Sequence, residues 1–390
     1  MKRLLALLFC LCLLPLGARA ENYVTVRELY NQTRTPWRQT FSVPNSGRYN
    51  VLPDNYTFDV DIVPNVPDVD AFPVLELKIK PVELTAEQRS SLHVIEDEMG
   101  NLSLKKPEGL PNFRDHFYSE MHQAENNPMT PEDAAALFVK IANEYLGVDN
   151  FQVHGVIGHG AKAKLYGEYL RDGRNAADYD LETGVYTVAG WQVFHGIPIV
   201  NTQTIWDGEG GALGYFTYAQ MSAISEAEYS FHGSAMVETN VLYEDVPLLP
   251  FDRIVETYEK LLVERTGELD YPLINLADAV LGYQVVQKDP SQPNQGMDTV
   301  FIARPVWVFP GYRAVSGEGF GKQGQADYAA QEQNVLEHPE AIRLWTTDFG
   351  YHNMAIIDAQ TGEWLNADNN WGELCFNTLV GGPIQVIPWP

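Results

Sequence analysis

The segment from Thr130 to Gly147 admits one local structure. Thr130 supplies an N-cap hydroxyl, Pro131 sits at the first helical position where its missing N–H is no loss, and Asp133 can reach back to close the cap. Ala134, Leu137, Phe138, Ile141 and Tyr145 recur at helical spacing, so a helix over 131–146 carries one apolar stripe, and Gly147 provides the left-handed exit. That stripe has to be covered. The runs that follow alternate like half-buried strands: Phe151–Ile157, Val185–Phe194, Ile197–Trp206 and Met236–Tyr243. A comparable order then recurs about 120 residues on. Phe251–Glu264 is amphipathic through Phe251, Ile254, Val255, Tyr258, Leu261 and Leu262, and strand-like runs follow at Ala279–Gln287, Val300–Phe309 and Met354–Ile357. Helices followed by antiparallel hairpins, without alternating βαβ units, predict an α+β fold in which helix packs on antiparallel sheet.

Upstream, Tyr56–Val63 and Val74–Ile79 alternate as strands around the proline-punctuated loop PNVPDVDAFP. Thr85 and Gln88 form a capping box, and Leu92, Ile95 and Met99 share a face, which predicts a helix stopped by Gly100. The expected organisation has four parts: a signal peptide at 1–20, a smaller β-rich region with one helix at 21–127, and helix-plus-sheet modules at 128–247 and 248–390, the last with a C-terminal tail.

The signal peptide is read from MKRLLALLFCLCLLPLGARA. Lys2 and Arg3 are a charged n-region, Leu4–Leu14 is an apolar run too short for a permanent span, and Ala18-Arg19-Ala20 is an A-x-A cleavage site. Cleavage after Ala20 is expected, giving a secreted or envelope-associated protein with no transmembrane span. The chain carries 26 Lys+Arg against 52 Asp+Glu, a net charge of −26; losing Lys2, Arg3 and Arg19 would take it to −29. Such a chain has no positive footprint for a phosphate backbone, so nucleic acid is excluded as a partner. A partner that does use the charge is basic or cation-bridged, and its binding weakens with salt. Cys10 and Cys12 fall inside the signal peptide, which leaves Cys375 with no intramolecular partner.

The run Ala355-Ile356-Ile357-Asp358-Ala359-Gln360-Thr361-Gly362-Glu363-Trp364 reads as strand, D-x-x-T-G-E turn and strand, with the Asp side chain bonding backbone amides and Gly taking the positive φ. A helix with this ending resembles PepSY-like modules, small α+β units of secreted and envelope bacterial proteins. The wider layout resembles an uncharacterised family of exported proteins and lipoproteins from gut-dwelling Gram-positive bacteria. The matching stretches are 190–199 (GWQVFHGIPI), 248–254 (LLPFDRI), 281–283 (LGY), 304–309 (RPVWVF) and 355–364. The resemblance covers roughly Tyr56 to Asp368 and implies two PepSY-like modules and export. It brings no active site to carry over, and no lipobox precedes Cys10 or Cys12.

Catalytic and metal templates find little. His154 and His159 lie in a glycine-rich stretch without H-E-x-x-H. The densest oxygen clusters are Asp59/Asp61, Asp68/Asp70 and Asn366/Asp368/Asn370, and Trp371 stands where an EF-hand loop needs glycine. Ser234 lacks the glycines of a nucleophile elbow, Cys375 reads as a small buried hydrophobe, and Gly317-x-Gly319-x-Gly321-Lys322 reads as a loop. No catalytic residue, cofactor or metal is assigned. Aromatic residues make 12% of the chain, and exposed tryptophans are platforms for sugars or peptides, so Trp37, Trp345 and Trp371 are the ligand-contact candidates, with Trp389 beside them. Trp191, Trp206 and Trp307 lie in strand patterns and read as core.

The expected function is therefore a non-catalytic binding or regulatory role outside the cytoplasm, toward a peptide, protein or glycan. The rivals are a carbohydrate-binding or carbohydrate-cleaving protein, and a protease-inhibitory protein resembling a pro-segment.

Overall fold

The structure, a computed structural model, describes residues 23–44, 55–62, 64–96, 102–104, 117–118, 124, 126–159, 162–166, 178–180, 182–202, 205–206, 212–214, 218–266, 273–274, 279–289, 298–309, 312–313, 355–365 and 387–388. Four helices fall within these: α1 (Val26–Gln32), α2 (Ala86–Ser91), α3 (Pro131–Leu146) and α4 (Phe251–Thr266). An eleven-stranded sheet is formed by β1 (Pro64–Asn65), β2 (Val74–Lys80), β3 (Phe151–His159), β4 (Val185–Phe194), β5 (Ile197–Thr202), β6 (Tyr218–Ala223), β7 (Tyr229–Gly233), β8 (Ala235–Tyr243), β9 (Ala279–Gln287), β10 (Val300–Phe309) and β11 (Ala355–Asp358). Its main path runs β7-β6-β4-β5-β9-β10-β2-β8, with β3 also on β4, β11 on β10 and β1 on β9. Every pairing is antiparallel except β5–β9 and β1–β9. The described fold is mixed α/β with a large, mostly antiparallel sheet and few helices.

Helix α3 forms as the sequence dictates. Thr130 and Asp133 exchange both bonds of a capping box, and Gly147 terminates the helix at φ 67°. Its stripe packs on β3, β4, β6 and β7 in a core holding Phe138, Tyr145, Phe151, Val188, Met221 and Phe231. The Phe138 ring approaches Phe151 and Phe231 at 6.3 and 5.8 Å. Gly190 lies beneath that ring: a Cβ there would meet Phe138 Cε1 at 2.4 Å and the Gln152 carbonyl at 2.7 Å. Here the helix needs glycine for space rather than for φ.

A second core lies on β5, β9, β10 and β11. Helix α4 places Tyr258 on Phe309 in a stacked pair at 4.1 Å and Phe251 against Trp307 at 4.8 Å. Helix α1 and residues 66–75 contribute Val26, Leu29, Phe72 and Leu75 to the same core. Strand β4 serves both cores, Tyr186 and Val188 in the first and Phe194 in the second, and the β4–β5 turn residues His195 and Gly196 both take positive φ, 51° and 80°. Those signs belong to the two-residue turn whose twist matches that of the flanking strands. Among the described residues, no helix is long and apolar enough to cross a membrane.

Two expectations of secondary structure are corrected. The helix expected to reach Gly100 stops at Ser91; His93 turns the chain at φ 51°, and Val94–Glu96 pairs with Leu102–Leu104 as a hairpin. Branched Val94 and Ile95 favour the ladder over another helical turn, and Leu92 and Leu104 close the α3 core instead. The strand expected over Ile197–Trp206 is two, Ile197–Thr202 and Ile205–Trp206.

Candidate functional site

Strands β9 and β10 pair without a register shift from Val280↔Val308 to Gln287↔Phe301. Their period of two sends Leu281, Tyr283, Val285, Phe301, Ala303, Trp307 and Phe309 into the α4 core. It sends Val280, Gln284, Val286, Arg304, Val306 and Val308 to the opposite face. That face is covered as well: Val280, Val286, Val306 and Val308 are all buried. Near-continuous apolar runs are what a sheet buried on both sides requires. Gln284 and Arg304 interrupt the run at one place.

Gln284 and Arg304 stand directly opposite each other, and the guanidinium donates to Gln284 Oε1 through Nε at 3.0 Å and Nη2 at 2.8 Å. Arg304 Nη1 lies 3.6 Å from Asp358 Oδ2 on β11, with the two side chains only 15% and 7% exposed. Burial draws the guanidinium below its ordinary value, while the charges of Asp358 and Glu363 pull it back up. It stays a cation throughout the physiological range.

Asp358 opens the D-x-x-T-G-E turn as the sequence predicts. Its Oδ1 accepts the amides of Gln360 and Thr361 at 2.8 and 2.9 Å, and Gly362 takes φ 70°. The Gly362 amide donates to the Asp358 carbonyl at 2.9 Å, and Ile357 bridges to Trp364. Tertiary contacts lock the turn: Thr257 of α4 donates to the Gly362 carbonyl at 3.0 Å, and the Leu249 amide donates to the Ala359 carbonyl at 2.8 Å.

The turn thereby fixes the side chain of Gln360, which is 2% exposed. Its Nε2 donates to the carbonyls of Pro247 at 2.9 Å and Ile387 at 2.8 Å, and its Oε1 accepts the Ile387 amide at 3.2 Å. One carboxamide thus engages both backbone groups of a single residue, as a neighbouring strand would. Chemically, this is a backbone-reading site. It uses hydrogen bonds that any extended residue can make, independent of side chain.

Gln192 on β4 is a second case of the same device. This fully buried amide accepts the Met236 N–H at 2.8 Å and donates to the Met236 carbonyl at 2.7 Å and to Asn150 Oδ1 at 3.0 Å. It joins β4 to the start of β8 inside the fold. Sequence reasoning singled out neither glutamine, although both lie in stretches it quoted. The available signal was a glutamine embedded in an apolar run, GWQVF or IIDAQTG.

Of the ligand-contact candidates, Trp37 is half-buried with its ring edge toward Tyr258 at 6.2 Å, packed against the α4 core. Trp345 and Trp371 lie outside the described residues, as do Trp389, Cys375, Asn366/Asp368/Asn370 and the 317–322 glycine stretch. Asp68 and Asp70 hold Arg27: it donates to Asp68 and, at 3.0 Å, to Asp70, and the Arg27 bond keeps the Asp68 carboxyl below its ordinary value. Asp59 and Asp61 lie in a strand ladder opposite Thr40 and Arg38. His154 and His159 both fall on β3, and Ser234 links β7 to β8. Among the described residues no group of three or more His, Cys, Asp or Glu is placed to hold a metal ion. Trp191 and Trp307 are buried.

Fold and site together define a mixed α/β protein whose most buried polar side chains contact main chain. No family model matches the chain, and no curated protein matches it. Among solved structures, the chain is similar to an uncharacterised protein from Eubacterium rectale, at 13% identity and a TM-score of 0.46, covering 78% of this chain and 90% of that one.

Proposed function

We propose that this is an exported, non-catalytic binding or regulatory protein that holds an extended peptide segment outside the cytoplasm, built on PepSY-like helix-plus-sheet modules. The observation that carries the reading is the buried Gln360 carboxamide, which engages the amide and carbonyl of Ile387 together. The groups around it act in the same sense. Asp358 accepts two main-chain amides, and Arg304 is engaged by Gln284 beside Asp358, so the site is organised to position backbone hydrogen bonds. Export enters the proposal from the n-region, apolar run and A-x-A site of residues 1–20, and the envelope setting from the family resemblance.

The test is affinity capture from the culture fluid and envelope fraction of the native organism with the purified full chain, beside Gln360→Ala. A peptide or protein ligand retained by the wild type and lost in the variant is the expected result. Saturable glycan binding lost on substitution of one tryptophan would overturn the proposal, as would turnover of a substrate abolished by a point mutation.

A further inference from the structure

We infer that the Gln360 site is a receptor for an extended peptide with a branched residue before proline, and that the chain's own Ile387–Pro388 occupies it in cis. This rests on the peptide-binding reading above and adds to it the ligand's chemistry and the site's control.

The argument begins with satisfaction of the amide. Gln360 is 2% exposed, and the described bonds of its carboxamide all run to main chain. If Ile387 left, Oε1 and one Nε2 hydrogen would lose their partners, and a ligand that restores both bonds is favoured there over one that restores neither. The vacated position therefore selects a ligand offering one N–H and one C=O from a single residue, on one edge of an extended chain. A sugar hydroxyl offers neither this spacing nor the planar pairing. Peptide backbone offers both.

Residue 387 is well suited to that demand. Isoleucine is branched at Cβ and favours extended backbone, and the residue before proline is pushed from the helical region toward extended φ and ψ. Ile387 is thus close to its bound conformation before it docks, which reduces the ordering entropy of binding. Pro388 adds no N–H that would need a partner.

Comparison with Gln192 shows why the Gln360 contact can be exchanged. The residue that Gln192 holds, Met236, is 1% exposed and paired to Ile79 within the sheet, so its release would break the sheet. The residue that Gln360 holds is half-buried, and Pro388 beside it is exposed. Ile387 lies 27 residues along the same chain from Gln360, so its docking is intramolecular. A peptide in trans must compete with that, so the cis segment sets a threshold for binding.

The experiment uses the full chain and a synthetic, fluorescently labelled peptide with the sequence of residues 385–390, QVIPWP. Hydrogen exchange is followed at the Ile387 amide, with Met236 as internal control. In wild type the Ile387 amide should be protected, and excess peptide should raise its exchange while leaving Met236 unchanged. Ile387→Pro removes the N–H that Gln360 Oε1 accepts and frees the site, so the labelled peptide should bind at least about tenfold more tightly than to wild type. Gln360→Ala should abolish labelled-peptide binding and expose Ile387. Equal binding to Gln360→Ala, an unprotected Ile387 in wild type, or no gain in Ile387→Pro would each overturn the inference and leave Gln360–Ile387 a structural tether only. A natural ligand captured while Ile387 stays protected would also sink it, yet would leave peptide binding in general standing.

Discussion

Arg304 lies directly across the β9–β10 ladder from Gln284 and directs two of its N–H groups to one amide oxygen, at 3.0 and 2.8 Å. On the other side its Nη1 faces Asp358 at 3.6 Å. A buried cation held between an amide and a carboxylate makes substitution of the carboxylate and substitution of the cation unequal. Asp358→Ala strands the guanidinium and leaves the amides of Gln360 and Thr361 without their acceptor, so it should destabilise by about 3–5 kcal/mol. Arg304→Met removes the buried charge with a side chain of similar reach and should cost clearly less. Urea unfolding midpoints decide the order, and a larger loss in Arg304→Met would refute this account of the cluster.

Acid sensitivity is expected to localise in part to Glu76 and Lys288. The ammonium of Lys288, 2.5 Å from Glu76 Oε2, holds that carboxyl below its ordinary value, and Thr239 adds a hydrogen bond in the same direction. A depressed carboxyl stabilises the fold fully above its unfolded value near about pH 4.3 and loses that contribution as pH falls through the lower folded value. Lys288→Met should therefore flatten the acid limb of stability between about pH 5 and pH 3 relative to wild type. Unfolding midpoints across that range check it; parallel wild-type and variant curves would rule it out.

Space beneath the α3 ring cluster is already full. Gly190→Ala drives a methyl to 2.4 Å from Phe138 Cε1 and 2.7 Å from the Gln152 carbonyl. The ring can shift and the backbone cannot do so freely, so a loss of about 1–3 kcal/mol is expected. Adding Phe138→Leu should recover part of that loss, read as a negative coupling energy in a double-mutant cycle.

Helix α3 should answer to its cap. The Thr130 hydroxyl accepts the Asp133 amide at 3.1 Å, and Asp133 accepts the Thr130 amide at 2.9 Å, which lowers the Asp133 carboxyl below its ordinary value. Thr130→Ala is expected to lower stability by about 1 kcal/mol, and Thr130→Ser to restore most of it. Thermal unfolding by circular dichroism measures both; equal stability of all three proteins would show that the cap is redundant.

Much of the secondary structure was legible because its causes are local. The cap at Thr130, the stripe from Ala134 to Tyr145 and the exit at Gly147 lie within one short window, and α3 begins and ends where they place it. The alternating or continuous apolar runs of β4, β9 and β10 likewise gave their limits to the residue. The helix expected through Met99 failed where a local pattern competed with a nonlocal one: the 94–96 hairpin draws on Leu102–Leu104, which a helical reading of Leu92, Ile95 and Met99 does not weigh. The site was half visible. Asp358 and Gly362 announce their turn through side-chain chemistry that neighbouring residues complete. Gln360 does not announce its role, because a glutamine looks the same in sequence whether its amide meets water or the backbone of a residue 27 positions away.

The amino-acid sequence by itself determined the helix at 131–146, a second helix starting at Phe251, the strands β4, β9 and β10, the turn at Asp358 and the chain's net acidity. Each follows from periodicity, capping, turn chemistry or net charge, which act within a few residues or over the whole chain at once. Only the tertiary structure decided that β2 from the N-terminal part lies between β10 and β8, that β5 and β9 run parallel, and that Gln192 and Gln360 each hold a distant backbone. Those arrangements arise where buried faces must be matched and buried polar groups satisfied. Their free energy depends on which segments meet in space.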